Sequence, residues 1–363
     1  MGGDREYSGL ADTGTLCRNL GRYSGSMRLP TLTEIHEAQA IVYRSMPPTP
    51  QYSWPLLNRR LSGGESGSNG SGNGVEAWIK HENHTPAGAF KLRGALVYAT
   101  WLKETQSQIE GVVAATRGNF GQGVAMAARI QGLKAVIVVP HGNSVAKNRA
   151  MAAQGAELIE HGRDFQESLE FARTLAIERG LHFFESFNER LVMGTSTYAL
   201  ELFEGAASLD VVYVPIGLGS SICGVSAVRN ALGLSTEIVG VVAAESPSYA
   251  LSFRQGEVVE SAANTVIADG LACRVPNAAA VETILENVAR IVDVSEGEIT
   301  EAMRAYFEDT HNVAEGAGAA ALAAAIREKD KLHGKRAGII LTGGNVDREV
   351  YQAVLAERQS SGK

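Results

Sequence analysis

The sequence predicts an α/β protein built on open parallel sheets covered by helices. Three observations carry that expectation. Apolar runs of strand length, such as Gly111–Ala115, Ala135–Val139 and Ala337–Leu341, lack the alternation of a half-exposed sheet and read as strands buried on both faces. Amphipathic runs of helix length lie between them, as parallel crossovers require. Glycine-rich turns follow several of the strands, where open α/β sheets place their ligands. The chain has 363 residues, 45% of them hydrophobic, enough for a core divided over two domains.

Taken in order, residues 1–26 are polar and without period, and are expected to be a disordered leader. Residues 62–74, SGGESGSNGSGNG, read as a flexible Gly/Ser loop. A strand is expected at Glu76–Lys80, then one at Gly111–Ala115 and a helix over Gly121–Ile130. Ala135–Val139 is a strand. Ser144–Gln154 is a helix stopped by Gly155, and Glu157–His161 a strand. Asp164 caps a helix whose face carries Phe165, Leu169, Ala172 and Ala176 and which Gly180 ends. Leu181–Phe184, Val211–Ile216 and Ile238–Ala243 are further strands. Ser295 and Glu298 form a capping box for a helix running to about Thr310.

Composition narrows the function. The net charge is −7 with no basic block, so nucleic acid is not expected as a partner. No apolar run has the length to span a membrane, and residues 1–26 lack the apolar core of a secretory signal. Cys17, Cys223 and Cys273 are too few and too scattered for a disulfide framework or a zinc site. A reduced cytoplasmic protein is the expectation, and no metal site is expected.

Four segments carry chemistry. Lys91 sits in a Gly/Ala-rich turn, Ala87-Gly88-Ala89-Phe90-Lys91. It reads either as a solvated cation or as an amine whose burial lowers its pKa and makes it a nucleophile. Thr116-Arg117-Gly118-Asn119-Phe120-Gly121 follows a strand, and its amides and helix start suit a carboxylate or phosphate. A plain βα turn is the alternative. Gly217-Leu218-Gly219-Ser220-Ser221 has glycine amides, two hydroxyls and a helix start. That is a phosphate cradle, with glycine spacing wrong for a dinucleotide fingerprint. Thr342-Gly343-Gly344-Asn345 offers a hydroxyl at a strand end, or a simple turn. An amine for an aldehyde, amides for a phosphate and donors at a ring fit one ligand well, pyridoxal 5′-phosphate.

These motifs stand in the order found in the fold-type II pyridoxal-phosphate enzymes, and the chain resembles their threonine/serine dehydratase group from about Leu29 to Val354. Phe90-Lys91-Leu92-Arg93-Gly94-Ala95 resembles the family's lysine motif, Gly118-Asn119-Phe120 its Gly-Asn-His turn, Gly217-Leu218-Gly219-Ser220 its tetraglycine loop, and Thr342-Gly343-Gly344-Asn345 its Ser-Gly-Gly-Asn ending. The resemblance implies that Lys91 is the Schiff-base lysine, beside Phe90. Asn119 would meet the cofactor's phenolic oxygen, Gly217 to Ser221 its phosphate, and Thr342 its ring nitrogen. It assigns Thr116 to Gly121 to the substrate.

Departures sharpen the reading. Ala89 and Thr116-Arg117 replace serines usual in the family. Arg117 stays protonated, so it cannot be the second base a racemase needs, and suits a fixed cation near the substrate. Glu245 fits one ligand of a divalent-cation site of some relatives, but Leu251 stands where an aspartate belongs, and no metal is expected. The resemblance implies a tryptophan-synthase-β-like fold with the cofactor between two domains. Residues 27–110 and 187–363 would form the large cofactor-binding domain and 111–186 the small substrate domain, in a homodimer. The expected activity is dehydration and deamination of a β-hydroxy amino acid. Threonine and serine are the default substrates, with phenylserine (Phe120) or 3-hydroxyaspartate (Arg117) as options. A racemase, a β-replacement synthase and a non-catalytic binding protein are the alternatives.

Overall fold

A computed structural model describes residues 27–63 and 74–356. The expected leader and most of the Gly/Ser loop therefore lie outside the described residues. That loop's flanks are tied together, because Val75 N–H donates to Ser62 Oγ at 3.0 Å.

The chain folds in the order α1 (Leu32–Tyr43), β1 (Gln51–Ser53), α2 (Pro55–Leu61), β2 (Glu76–His81), α3 (Lys91–Thr105), β3 (Gly111–Ala115), α4 (Asn119–Ile130), β4 (Lys134–Val139), α5 (Val145–Ala153), β5 (Glu157–Glu160), α6 (Phe165–Arg179) and β6 (His182–Phe183). There follow α7 (Glu189–Gly205), β7 (Val211–Pro215), α8 (Ser220–Ala231), β8 (Glu237–Ala243), α9 (Ser248–Gln255), α10 (Ala278–Asn287), β9 (Arg290–Val294), α11 (Glu296–Thr310), α12 (Gly316–Arg327), β10 (Arg336–Leu341) and α13 (Arg348–Ala356).

Two sheets form. The larger has strand order β1-β2-β10-β7-β8-β9, the smaller β5-β4-β3-β6. All pairings are parallel except the edge pair β1–β2. The small sheet is built from one continuous stretch, inserted between β2 and β7 of the large one. Its strands β3 and β4 are buried because helices cover both faces, which is why they read as unbroken apolar runs.

Local signals explain the boundaries. Asp164 Oδ1 accepts from Glu167 N–H at 2.9 Å and caps α6, and Gly180 ends it at φ 62°, a left-handed conformation that favours glycine. The capping box of Ser295 and Glu298 opens α11 as expected. Helix α12, rich in alanine and glycine, lies buried against β10 and β7. Its small side chains permit this close approach: a Cβ at Gly318 would collide with the carbonyl of Gly343. Cys223 and Cys273 are buried free thiols. Among the described residues no helix is long and apolar enough to cross a membrane.

Candidate active site

The carboxyl ends of β2, β10 and β7 in the large sheet and of β3 in the small sheet converge on one region. The segment after β2 and the segment after β10 are joined there. Phe90 N–H donates to Thr342 O at 3.0 Å, Gly344 N–H donates to Gly88 O at 2.9 Å, and Ala89 forms an isolated antiparallel bridge with Gly343. Lys91, the first residue of α3, is thereby placed beside Thr342.

Lys91 Nζ lies 4.2 Å from the centroid of the Phe90 ring. The Phe90 ring in turn meets Tyr198 edge-on at 6.1 Å. Burial disfavours the lysine's charge more than Glu315 restores it, and the amine is lowered to about 8. Thr342 is buried and its hydroxyl donates to Ala317 O at 3.3 Å. Asn119 is held at both ends of its amide: Nδ2 donates to Glu315 Oε1, and Oδ1 accepts from Asn345 Nδ2 at 2.9 Å.

The turn after β7 is an anion cradle in form. Gly219 has φ 102°, and a Cβ there would sit 2.6 Å from that of Ala280. A Cβ at Gly217 would come 2.6 Å from the carbonyl of Gly270. Both positions thus need glycine for different reasons, conformation and space. Among the described residues, the amides of Gly217, Leu218, Gly219, Ser220 and Ser221 donate to no protein acceptor. Ser220 and Ser221 open α8, so the helix dipole adds to the field of those amides. Tyr249 steadies the turn by donating to Leu218 O at 2.9 Å, and Tyr198 and Ser221 share a hydroxyl–hydroxyl bond at 2.6 Å.

The turn after β3 is shaped by Thr116. Its Oγ1 accepts from Gly118 N–H at 2.9 Å and Gly121 N–H at 3.3 Å. The amides of Arg117, Asn119 and Phe120 donate to no acceptor among the described residues. A Cβ at Gly121 would strike Met151, so that glycine serves packing. The Phe120 ring is buried in the core, 6.0 Å from Phe184, and contributes its amide rather than its ring to this turn. Arg117 is half-buried and its guanidinium has no partner among the described residues.

A charged cluster lies beside these turns, and of its members the sequence marks only Glu315. Lys147 of α5, only 7% exposed, donates to Asp269 Oδ2 at 2.7 Å and lies 3.5 Å from Glu315 Oε2. Burial opposes its charge, but Glu315 and Asp269 outweigh that and raise its pKa. Glu315 occupies the cap position of α12 without making a side-chain cap, and burial raises its pKa against the pull of Lys147. The stem of Lys147 lies over Gly118, where a side chain could not fit. No local pattern reveals Lys147 and Asp269. Glu315 is marked in the sequence as the glutamate before a Gly-Ala-Gly helix start, which reads either as approaching the site or as capping the helix, and the structure shows no side-chain cap.

An amine poised near neutrality, beside a cradle of unpaired amides on open parallel sheets, is the layout of an enzyme that works through a phosphorylated aldehyde. The chain belongs to the pyridoxal-phosphate dependent enzymes, whose family profile matches residues 65–343. It is 35% identical to an L-threonine ammonia-lyase of Thermotoga maritima over 78% of this chain and 70% of that one. It is 30% identical to an L-threo-3-hydroxyaspartate ammonia-lyase of Saccharomyces cerevisiae over 92% of this chain and 98% of that one. Among solved structures, a pyridoxal 5′-phosphate-dependent aspartate racemase superposes with a TM-score of 0.81 at 29% identity, covering 88% of this chain and 97% of the other.

Proposed function

We propose that the protein is an ammonia-lyase that removes the β-hydroxyl and the amino group of a β-hydroxy α-amino acid, yielding a 2-oxo acid and ammonia. The observation that carries this reading is Lys91, an amine lowered to about 8 beside the Phe90 ring. The two relatives named as ammonia-lyases support the reaction class.

In this reading the cradle at Gly217, Leu218, Gly219, Ser220 and Ser221 binds the phosphate, and Asn119 and Thr342 present polar groups to the ring. Bound there, the cofactor supplies the electron sink that makes the substrate's Cα–H acidic. Everything else falls to the chain. The free amides of Arg117, Asn119 and Phe120 bind the substrate carboxylate, with the Thr116 proton as a further donor, since its oxygen already accepts two amides. Lys91, with its amine lowered to about 8, would accept the Cα proton as general base. The Cβ–O bond then breaks, the leaving oxygen takes up a proton as water, and the resulting enamine hydrolyses to the 2-oxo acid and ammonia. Residues 27–110 and 187–363 act as the cofactor-binding domain and 111–186 as the substrate domain of a cytoplasmic homodimer.

The aspartate racemase likeness favours one second reading, racemisation. It needs a base on the face opposite Lys91. A guanidinium is not a base of the kind required, and Lys147 is paired with Asp269 and has a raised pKa, so neither Arg117 nor Lys147 offers one. A panel of β-hydroxy amino acids, assayed for 2-oxo acid and ammonia and for inversion at Cα, separates the two. Elimination without inversion is expected. Inversion without ammonia release on every substrate would overturn the proposal.

A further inference from the structure

Lys91 and Arg93 are two residues apart in the first turn of α3, so their side chains leave the helix on nearly opposite sides. Lys91 points over Phe90 into the candidate site, whereas Arg93 points into the protein and is fully buried. Its guanidinium is completely engaged. Nε donates to Glu82 Oε2 at 2.7 Å and Nη2 to Glu82 Oε1 at 3.0 Å. Nη1 donates to Glu201 Oε1 at 2.6 Å and Thr197 Oγ1 at 3.0 Å, and Nη2 also to Glu201 Oε2 at 2.9 Å and Thr49 Oγ1 at 3.1 Å. Lys80 completes the group, 2.6 Å from Glu201 Oε2 and donating to Thr49 O at 2.8 Å. Two cations and two carboxylates thus balance in the interior.

Such a cluster is a poor device for stability alone. Taking four charges out of water costs about as much as their attraction returns, and apolar side chains of the same volume hold a core as well. What the cluster adds is direction. A bidentate guanidinium allows one orientation, and its partners come from three separate elements: the residue after β2, helix α7 and the segment before β1. Phe90 occupies the cap position of α3 without a side-chain cap, and the anchors before it hold main-chain atoms, as in Phe90 N–H to Thr342 O and Ala89 N–H to Thr85 Oγ1, so within the first turn of α3 the Arg93 side chain is the polar anchor that faces the interior. Backbone contacts remove the remaining slack. A Cβ at Gly194 would sit 2.5 Å from Gly94 Cα, and one at Gly123 only 3.1 Å from Lys91 O.

We propose that Arg93 is a positioning residue for the Lys91 amine. Locked by Glu82 and Glu201 behind the helix, it sets the rotation of the first turn of α3 and so the approach of Nζ to an aldehyde held in the cradle. This rests on Lys91 being the cofactor lysine. In the step concerned, the neutral Lys91 nitrogen attacks the aldehyde carbon, a carbon–nitrogen double bond forms, and the aldehyde oxygen leaves as water with two protons from the amine.

The test compares two probes on the full chain freed of cofactor. Pyridoxal 5′-phosphate reports double-bond formation by its visible absorbance. 4′-Deoxypyridoxine 5′-phosphate, which has no aldehyde, reports the cradle alone. Arg93→Lys keeps the charge but loses the fork, and it should slow double-bond formation by about tenfold or more, as misplacement of a reacting group does, with deoxy-probe affinity within about twofold. Thr197→Val, which removes one neutral acceptor, should slow the same step to a smaller extent, and it decides the matter if Arg93→Lys does not fold. A folded Arg93→Lys chain reacting at the wild-type rate would overturn the inference, as would an unchanged rate in Thr197→Val where that variant decides. A wild-type chain that binds the deoxy probe but forms no bond at Lys91 would sink the lysine reading, and Arg93's role with it.

Discussion

Asn345 Nδ2 donates to Asn119 Oδ1 at 2.9 Å, tying the turn after the last strand of the large sheet to the turn after β3 of the small sheet. The same Nδ2 also donates to Ala87 O at 2.8 Å, four residues before Lys91. One amide therefore links three of the turns at the site. Asn345→Ala leaves both acceptors without this donor and should cost about 1–3 kcal/mol of stability. A urea titration checks it, and an unchanged midpoint would show that these bonds are replaced by water.

The cradle depends on a left-handed glycine. Gly219→Ala puts a side chain at φ 102° and 2.6 Å from Ala280, so the turn must shift. Strain of about 1–3 kcal/mol is expected, together with a fall in affinity for 4′-deoxypyridoxine 5′-phosphate measured by calorimetry. Loss of stability with full affinity would place the phosphate elsewhere.

The lysine's titration gives a pH dependence. Its pKa is lowered to about 8, so below that value most of the amine is protonated and unreactive. With the cofactor removed, bond formation with pyridoxal 5′-phosphate should rise about tenfold per pH unit below the midpoint and level off above it. The carboxylate of Glu315 raises the lysine's pKa, so Glu315→Gln should move the midpoint down. An upward move would mean that Glu315 does not act on Lys91 by charge.

Arg117 has no partner among the described residues and stands in the turn proposed for the substrate. Arg117→Ser should lower kcat/KM for 3-hydroxyaspartate more than for threonine, by about tenfold or more if a charged hydrogen bond is lost, or add racemisation. Steady-state kinetics with chiral analysis checks both. If neither changes, the side chain takes no part in binding.

Much of the frame was legible because buried parallel strands announce themselves. Gly111–Ala115 and the cap residues Asp164, Ser295 and Gly180 appear in the structure where the sequence puts them. Elements without an apolar signature were not legible. The edge strand β1 has three residues, with Tyr52 half exposed, and β9 carries Arg290 and Asp293. Helix α7 was hidden by Gly194 and the run Thr195-Ser196-Thr197, which serve packing rather than helix propensity: Gly194 meets α3, Thr197 bonds Arg93, and Thr195 donates to Ser220 O of α8.

At the site, the turns that bear glycines and hydroxyls could be picked out one by one, but the pairs that cross the chain could not. Lys147 and Asp269 are 122 positions apart, and nothing local to either marks it. Phe120 shows the converse. Its place in a loop suggested contact with a substrate ring, whereas its own ring packs on Phe184 because the helix start turns it into the core.

The covalent link between Lys91 and pyridoxal 5′-phosphate is read out by borohydride reduction of the loaded protein followed by peptide mass mapping. One reduced phosphopyridoxyl group, carried by the peptide containing Lys91, is expected, with no lyase turnover in Lys91→Ala. A label on another lysine, or a Lys91→Ala enzyme that still releases ammonia at the wild-type rate, would contradict it.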